Sequence, residues 1–152
     1  MRQKIFLGAD HAGFRLKEEI KNFLNALGYK YNDLGVHTDK NKSDYPEIAL
    51  KVAREVAKHN SRGILICGTG TGEAIAANKV RGIRAANCFN EYTAKMSREH
   101  NNSNVLCLGA RVLSSILAKK MAKIWLETDF SSEARHKRRV KQIENIEKKL
   151  CK

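Results

Sequence analysis

The sequence predicts an α/β fold: a three-layer, doubly wound sandwich built on a parallel sheet of about five strands. Three observations predict it. Short apolar strand patterns alternate with helical ones along the whole chain, which implies a parallel sheet covered on both faces. The run Gly63-Ile64-Leu65-Ile66-Cys67 is continuously apolar, the pattern of a strand buried on both sides. A glycine-rich turn follows that run directly, at the strand end where such folds bind ligands.

Taken in order, residues 4–10 read as a buried strand ending in polar Asp10. Phe14, Leu16, Ile20, Phe23, Leu24 and Leu27 then recur at near-helical spacing, and Gly28 supplies a stop. Residues 29–34 form a weaker strand, and 35–44 read as a polar loop. Pro46 opens the next helix from its first turn, with Ile48, Ala49, Val52, Val56 and Ala57 as its apolar stripe. After strand 63–67 come a glycine loop, a helix over 73–80, a strand over 83–88, a helix over 91–100 and a strand over 104–109. An amphipathic helix over 114–127 carries Ile116, Leu117, Met121, Ile124 and Trp125, and a last helix spans about 132–150. Right-handed crossovers make this arrangement Rossmann-like. No linker, repeat or low-complexity segment divides the chain, so 1–152 is expected to be one domain.

With 152 residues, 42% hydrophobic and 30% charged, the chain is long enough for a real core and unlike a disordered one. No apolar run has membrane-spanning length, and the first ten residues carry no signal-peptide pattern. A cytoplasmic protein without membrane contact is the expectation. Cys67, Cys88, Cys107 and Cys151 form no C-x-x-C pair, so neither a structural zinc nor disulfides are expected. Cys88 and Cys107 read as inert core thiols. The net charge of +13 suits two kinds of partner, nucleic acid or a small phosphorylated anion. No aromatic interleaving or binding motif supports nucleic acid.

The residues that carry chemistry sit at strand ends: Asp10 and His11, the loop 67–72, and Arg111. In Cys67-Gly68-Thr69-Gly70-Thr71-Gly72-Glu73 the glycines let backbone N–H groups approach a ligand. The following helix start adds positive potential, which makes an anion hole for a phosphate or a developing oxyanion. Glu73 stands where a dinucleotide fingerprint needs its last glycine, and no Walker lysine is present. A tight turn with no ligand is the plain alternative. The amide dipoles predict a lowered pKa for the Cys67 thiol. Glu73 has two readings, a proton carrier or a simple partner for the helix dipole.

Several motifs, in order and end to end, resemble the ribose-5-phosphate isomerase B family, which also holds the galactose-6-phosphate isomerase subunits. They are Gly8-Ala9-Asp10-His11-Ala12-Gly13-Phe14, Asp44-Tyr45-Pro46, the loop 67–72, Ala76-Ala77-Asn78-Lys79, Ser97-Arg98-Glu99-His100-Asn101-Asn102, Leu108-Gly109-Ala110-Arg111 and Arg135-His136-Lys137-Arg138-Arg139. The resemblance implies interconversion of ribose 5-phosphate and ribulose 5-phosphate through an enediolate, with no metal or other cofactor. It also implies a homodimer with shared active sites; association to a tetramer stays open.

On this basis Cys67 is expected to take the carbon-bound proton, with Glu73 as the alternative base used by members that lack the cysteine. His100 is expected to open the sugar ring from the partner subunit. Asp10 assists or orients the sugar, Thr69 bonds the moving hydroxyls, and Asn101 offers a hydroxyl contact. The N–H groups of Gly68, Gly70, Thr71 and Gly72 are expected to stabilise the enediolate. Arg135 and Arg139, four apart on one helix face, suit phosphate, although alone they read equally as a solvated basic face. His11 and Arg111 join them by resemblance. Tyr45 either walls the pocket or only packs after its loop. The stripe Val140, Ile143, Ile146 and Leu150 is expected to pack on the partner. A galactose- or allose-6-phosphate isomerase is the nearest rival, and a basic nucleic-acid-binding module the remote one.

Overall fold

The computed structural model describes residues 3–150, so Cys151 lies outside the described residues. Five strands form one sheet in the order β2-β1-β3-β5-β4, and every pairing is parallel. The elements are β1 (Ile5–Ala9), α1 (Phe14–Ala26), β2 (Tyr31–Asp33), α2 (Tyr45–His59), β3 (Arg62–Cys67), α3 (Thr71–Ala77), β4 (Ala85–Asn87), α4 (Glu91–Glu99), β5 (Val105–Gly109), α5 (Ser115–Glu127) and α6 (Ala134–Leu150).

Alternation along β1 divides the core. Ile5, Leu7 and Ala9 join a cluster with Ile20, Leu24, Met121 and Trp125 of α1 and α5. Phe6 joins a second cluster with Ile48, Val52 and Val56 of α2. The sheet is therefore covered on both faces, which gives the three layers. Strand order reverses between β1 and β3, the adjacent pair whose C-terminal ends lead into Asp10 and Cys67. Such a reversal opens a crevice at the strand ends.

Sequence and structure differ in detail. The helix expected at 73 starts at Thr71, because Gly70 takes the left-handed conformation, φ +81°, and turns the chain into it directly. Strands β2 and β4 are three residues each, since edge strands are ended by whatever loop leaves the sheet. Ala53, not Ala57, completes the α2 stripe. Ile116 is 71% exposed rather than packed. Lys17 is fully buried, which no apolar pattern signals: its ammonium lies 2.5 Å from Asp33 Oδ2 and donates to the Val36 carbonyl at 2.8 Å. That pair ties α1 to the loop entering the site. Among the described residues, no helix is long and apolar enough to cross a membrane.

Candidate active site

At the C-terminal ends of β1, β3 and β5 lies a cavity of about 320 Å³, walled by Asp10, His11, Ala12, Tyr45, Cys67, Gly68, Thr69, Gly72 and Arg111. Eight of the residues predicted for the site meet here. Gly13 makes the approach possible. A Cβ there would stand 2.0 Å from the Ile66 carbonyl oxygen, so only glycine lets the turn after β1 lie against the end of β3. In that turn the Gly13 N–H donates to Asp10 Oδ1 at 3.0 Å.

The loop after β3 wraps its own sulfur. The Gly70 N–H donates to Cys67 Sγ at 3.1 Å. The Thr71 N–H donates to Thr69 Oγ1 at 3.3 Å, and the Thr71 hydroxyl accepts from Asn87 Nδ2 at 3.0 Å. Gly70 and Thr71 therefore do not face the cavity with free amides as the sequence predicts; they hold Cys67 and Thr69 in place. Gly68 and Gly72, which do wall the cavity, keep amides not committed within the loop. A Cβ at Gly68 would meet the Arg111 guanidinium at 3.1 Å, and one at Gly72 would meet the Tyr45 ring at 2.5 Å. Arg111 thus lies across the loop, and Tyr45 is a wall of the pocket.

His11 is held by Ser43, which lies in a stretch that the sequence marks only as polar loop. The His11 backbone N–H donates to Ser43 Oγ at 3.0 Å, and its Nδ1 accepts from the Ser43 N–H at 3.2 Å. With Nδ1 an acceptor, the ring hydrogen of the neutral form sits on Nε2. Only the reciprocal geometry reveals Ser43; nothing in a polar loop marks one serine among its neighbours.

The electrostatics correct one expectation. The Cys67 thiol is pushed up, not down: burial and the neighbouring Glu73 carboxyl outweigh the amides of Gly70, Thr69 and Glu73. Glu73 itself is 0% exposed and neither carboxyl oxygen has a hydrogen-bond partner among the described residues. Burial and the Asp10 carboxyl drive its pKa well above the usual carboxylate range, against the Cys67 thiol. The helix-dipole argument fails here because the helix is only seven residues and the carboxyl is buried; desolvation wins.

Four predicted residues lie elsewhere. His100 caps α4, just before β5 begins, so it belongs to the end of the sheet where strands start. A five-residue strand at roughly 3.3 Å per residue separates that end from Cys67. Asn101 faces a different groove, beside Ile143. Arg135 and Arg139 are exposed on the first turns of α6, with Arg135 Nε 2.7 Å from Glu133. Between them His136, 2% exposed, packs on His100 with ring centroids 4.2 Å apart. Its Nδ1 has no partner among the described residues. One chain therefore carries two separate halves, a cavity at one end of the sheet and a basic, histidine-bearing patch at the other. His136 lies inside a motif in which the sequence draws attention only to the arginines.

Comparison with known proteins identifies the family. A family model described as Ribose/Galactose Isomerase matches residues 5–143. A solved ribose-5-phosphate isomerase B from Clostridium thermocellum is 51% identical, with a TM-score of 0.92 over 96% of this chain and 98% of that one. One from Mycoplasma genitalium with bound ribulose-5-phosphate is 40% identical, TM-score 0.91, over 95% and 96%. A D-erythrulose-4-phosphate isomerase from Pectobacterium atrosepticum is 42% identical over 83% of this chain and 84% of its own. The chain belongs to the Ribose/Galactose Isomerase family and is a sugar-phosphate isomerase.

Proposed function

We propose that the chain interconverts ribose 5-phosphate and ribulose 5-phosphate through an enediolate, without a metal, as a homodimer with two shared sites. The observation that carries this reading is the cavity itself. It combines a buried thiol, a wall of glycine backbone and two nitrogen-donor side chains, the His11 imidazole and the Arg111 guanidinium. The Mycoplasma relative, solved with ribulose-5-phosphate, supports the same substrate class.

In this reading His11 Nε2 and the Arg111 guanidinium bind the phosphate from one side. Arg135 and Arg139 of the partner subunit bind it from the other. His100 of the partner subunit, backed by the partner's His136, moves the proton that opens the ring. Asp10 has one carboxyl oxygen committed to Gly13 and orients the sugar with the other; Asn101 of the partner subunit adds a hydroxyl contact. The Cys67 thiolate removes the proton from C2 of the open aldose and returns it to C1 of the enediolate. Thr69 bonds the hydroxyls between which the second proton passes, and the Gly68 and Gly72 amides stabilise the charge on oxygen. A raised thiol pKa suits proton abstraction from carbon, since the thiolate is scarcer but a stronger base. The split of the predicted residues between two sheet ends is what favours a dimer. The exposed stripe Ile143, Ile146 and Leu150 gives α6 an apolar face to lay on a second copy.

A four-carbon substrate is the second reading, favoured by the Pectobacterium relative; hexose 6-phosphates are a third that the family's name allows. Relative kcat/KM for ribose 5-phosphate, D-erythrulose 4-phosphate, and galactose and allose 6-phosphates separates them. The pentose is expected to lead; a tenfold preference, about 1.4 kcal/mol, for any other overturns the assignment.

A further inference from the structure

A second cavity, of about 240 Å³, lies at the opposite end of the sheet from the Cys67 pocket, where the strands begin. Arg62 is the first residue of β3, Arg84 immediately precedes β4, and Arg98 comes from α4. All three line this cavity, together with the amides of Gln3, Asn60 and Asn104. No carboxylate lines it, and none of the three arginines forms an ion pair among the described residues.

Their hydrogen bonds fix the guanidiniums without neutralising them. Arg62 Nη1 donates to the Leu126 carbonyl at 2.6 Å and Arg84 Nε to the Asn102 carbonyl at 2.9 Å. Arg98 donates through Nε to the Thr128 carbonyl at 3.2 Å and through Nη1 to Asn102 Oδ1 and the Ser103 carbonyl. Among the described residues, both terminal nitrogens of Arg84, Nε and Nη2 of Arg62, and Nη2 of Arg98 are left over. Arg62 and Arg98 also lie 5.7 and 5.9 Å from the Trp125 ring, a contact that stabilises a cation but cancels no charge.

We propose that this cavity is a second anion site, separate from the isomerase pocket, that takes a phosphate group. Three like charges fixed around one polar space repel one another. Arg98, 5% exposed, shows the cost: burial, Arg62 and Arg84 draw its pKa down to about 10, with Asp129 the one group opposing them. A phosphate dianion reverses that balance. It meets donors that are already oriented, so little ordering accompanies binding. Arginines that served only to tie loop carbonyls would need no shared polar cavity. The proposal does not rest on the isomerase reading, since no residue of that site lines this one.

Trp125 is the chain's single tryptophan and lies 5.7 and 5.9 Å from Arg62 and Arg98, so its emission reports on two guanidiniums of this cavity. The intact protein is titrated with inorganic phosphate at constant ionic strength, with chloride as the control. A saturable emission change is expected with phosphate and not with chloride. Its midpoint should rise at least about tenfold in Arg62→Gln and in Arg84→Gln and stay put in Arg111→Gln. Equilibrium dialysis of a variant stripped of the isomerase phosphate ligands (His11→Ala, Arg111→Gln, Arg135→Gln and Arg139→Gln together) gives a readout independent of fluorescence, with one phosphate still bound per chain. No bound phosphate in that dialysis, or a midpoint unmoved in both Arg62→Gln and Arg84→Gln, overturns the proposal. Melting curves show whether either variant is folded, and the dialysis needs neither.

Discussion

Gly70 donates its backbone N–H to the Cys67 sulfur at 3.1 Å, so the loop that looks built for substrate oxygen first holds the thiol. Gly70 can do this because it sits at φ +81°. A Cβ there would strain the backbone and stand 2.4 Å from Asn87 Oδ1. Gly70→Ala is expected to lose at least about 2 kcal/mol of stability and to lower kcat beyond that loss. Urea denaturation beside steady-state kinetics checks both.

The Cys67 thiol and the buried Glu73 carboxyl beside it predict a pH dependence with a definite sign. Because the thiol is pushed up, the thiolate population grows only on the alkaline side. kcat/KM should therefore climb above pH ~8.5, the ordinary thiol value. For stability the sign follows from Glu73, whose folded pKa is raised. Its contribution is fully present below the unfolded value, about 4.5, and is lost as pH rises through the folded one. Glu73→Gln removes that titration, so its stability relative to wild type should improve as pH rises above ~4.5. A constant difference across pH would show that Glu73 is charged in the folded chain.

Lys17 predicts the opposite slope. Burial raises the Asp33 pKa, but bonds from Lys17, Gly35 and Lys21 outweigh it and hold it below the usual value. That stabilisation is present above the unfolded pKa and is lost as pH falls through the folded one. Removing one partner of a buried pair costs roughly 3–5 kcal/mol, so Lys17→Met should destabilise at neutral pH and do so less in acid. Urea melts at both pH values check it.

The Ser43 pair with His11 concerns binding. Ser43→Ala removes the acceptor for the His11 amide and should raise KM roughly 2- to 10-fold, the range of one hydrogen bond. kcat should move less, and Ser43→Thr should restore KM. An equal fall in kcat would place His11 in the chemistry rather than at the phosphate.

These residues also show what a sequence can and cannot display. The layered fold was legible because β3 and β5 are buried along nearly their whole length and the helices carry periodic stripes. Seven of the eight predicted residues that wall the cavity were legible because they lie at or just after strand ends, and Tyr45, at the start of α2, through the resemblance of Asp44-Tyr45-Pro46. The rest depended on three-dimensional facts. Ile116 has the spacing of a core residue but faces outward. Lys17 has the chemistry of a surface residue but is buried, because Asp33 and the Val36 carbonyl meet its ammonium. The Cys67 pKa direction turns on burial, which a motif does not encode. Ser43 and His136 act through partners 32 and 36 residues away in the chain, a separation that no local pattern spans.

Subunit mixing and a single substitution meet in one experiment on ribose 5-phosphate turnover. Cys67→Ala and His100→Ala homodimers should each lose roughly 10²–10⁴ in kcat. Refolded together in equal amounts, they should regain about a quarter of wild-type activity, since half the dimers are mixed and each has one intact site of two. An active Cys67→Ala protein, or a mixture no more active than its parts, would contradict a thiol base working in a site shared between two chains.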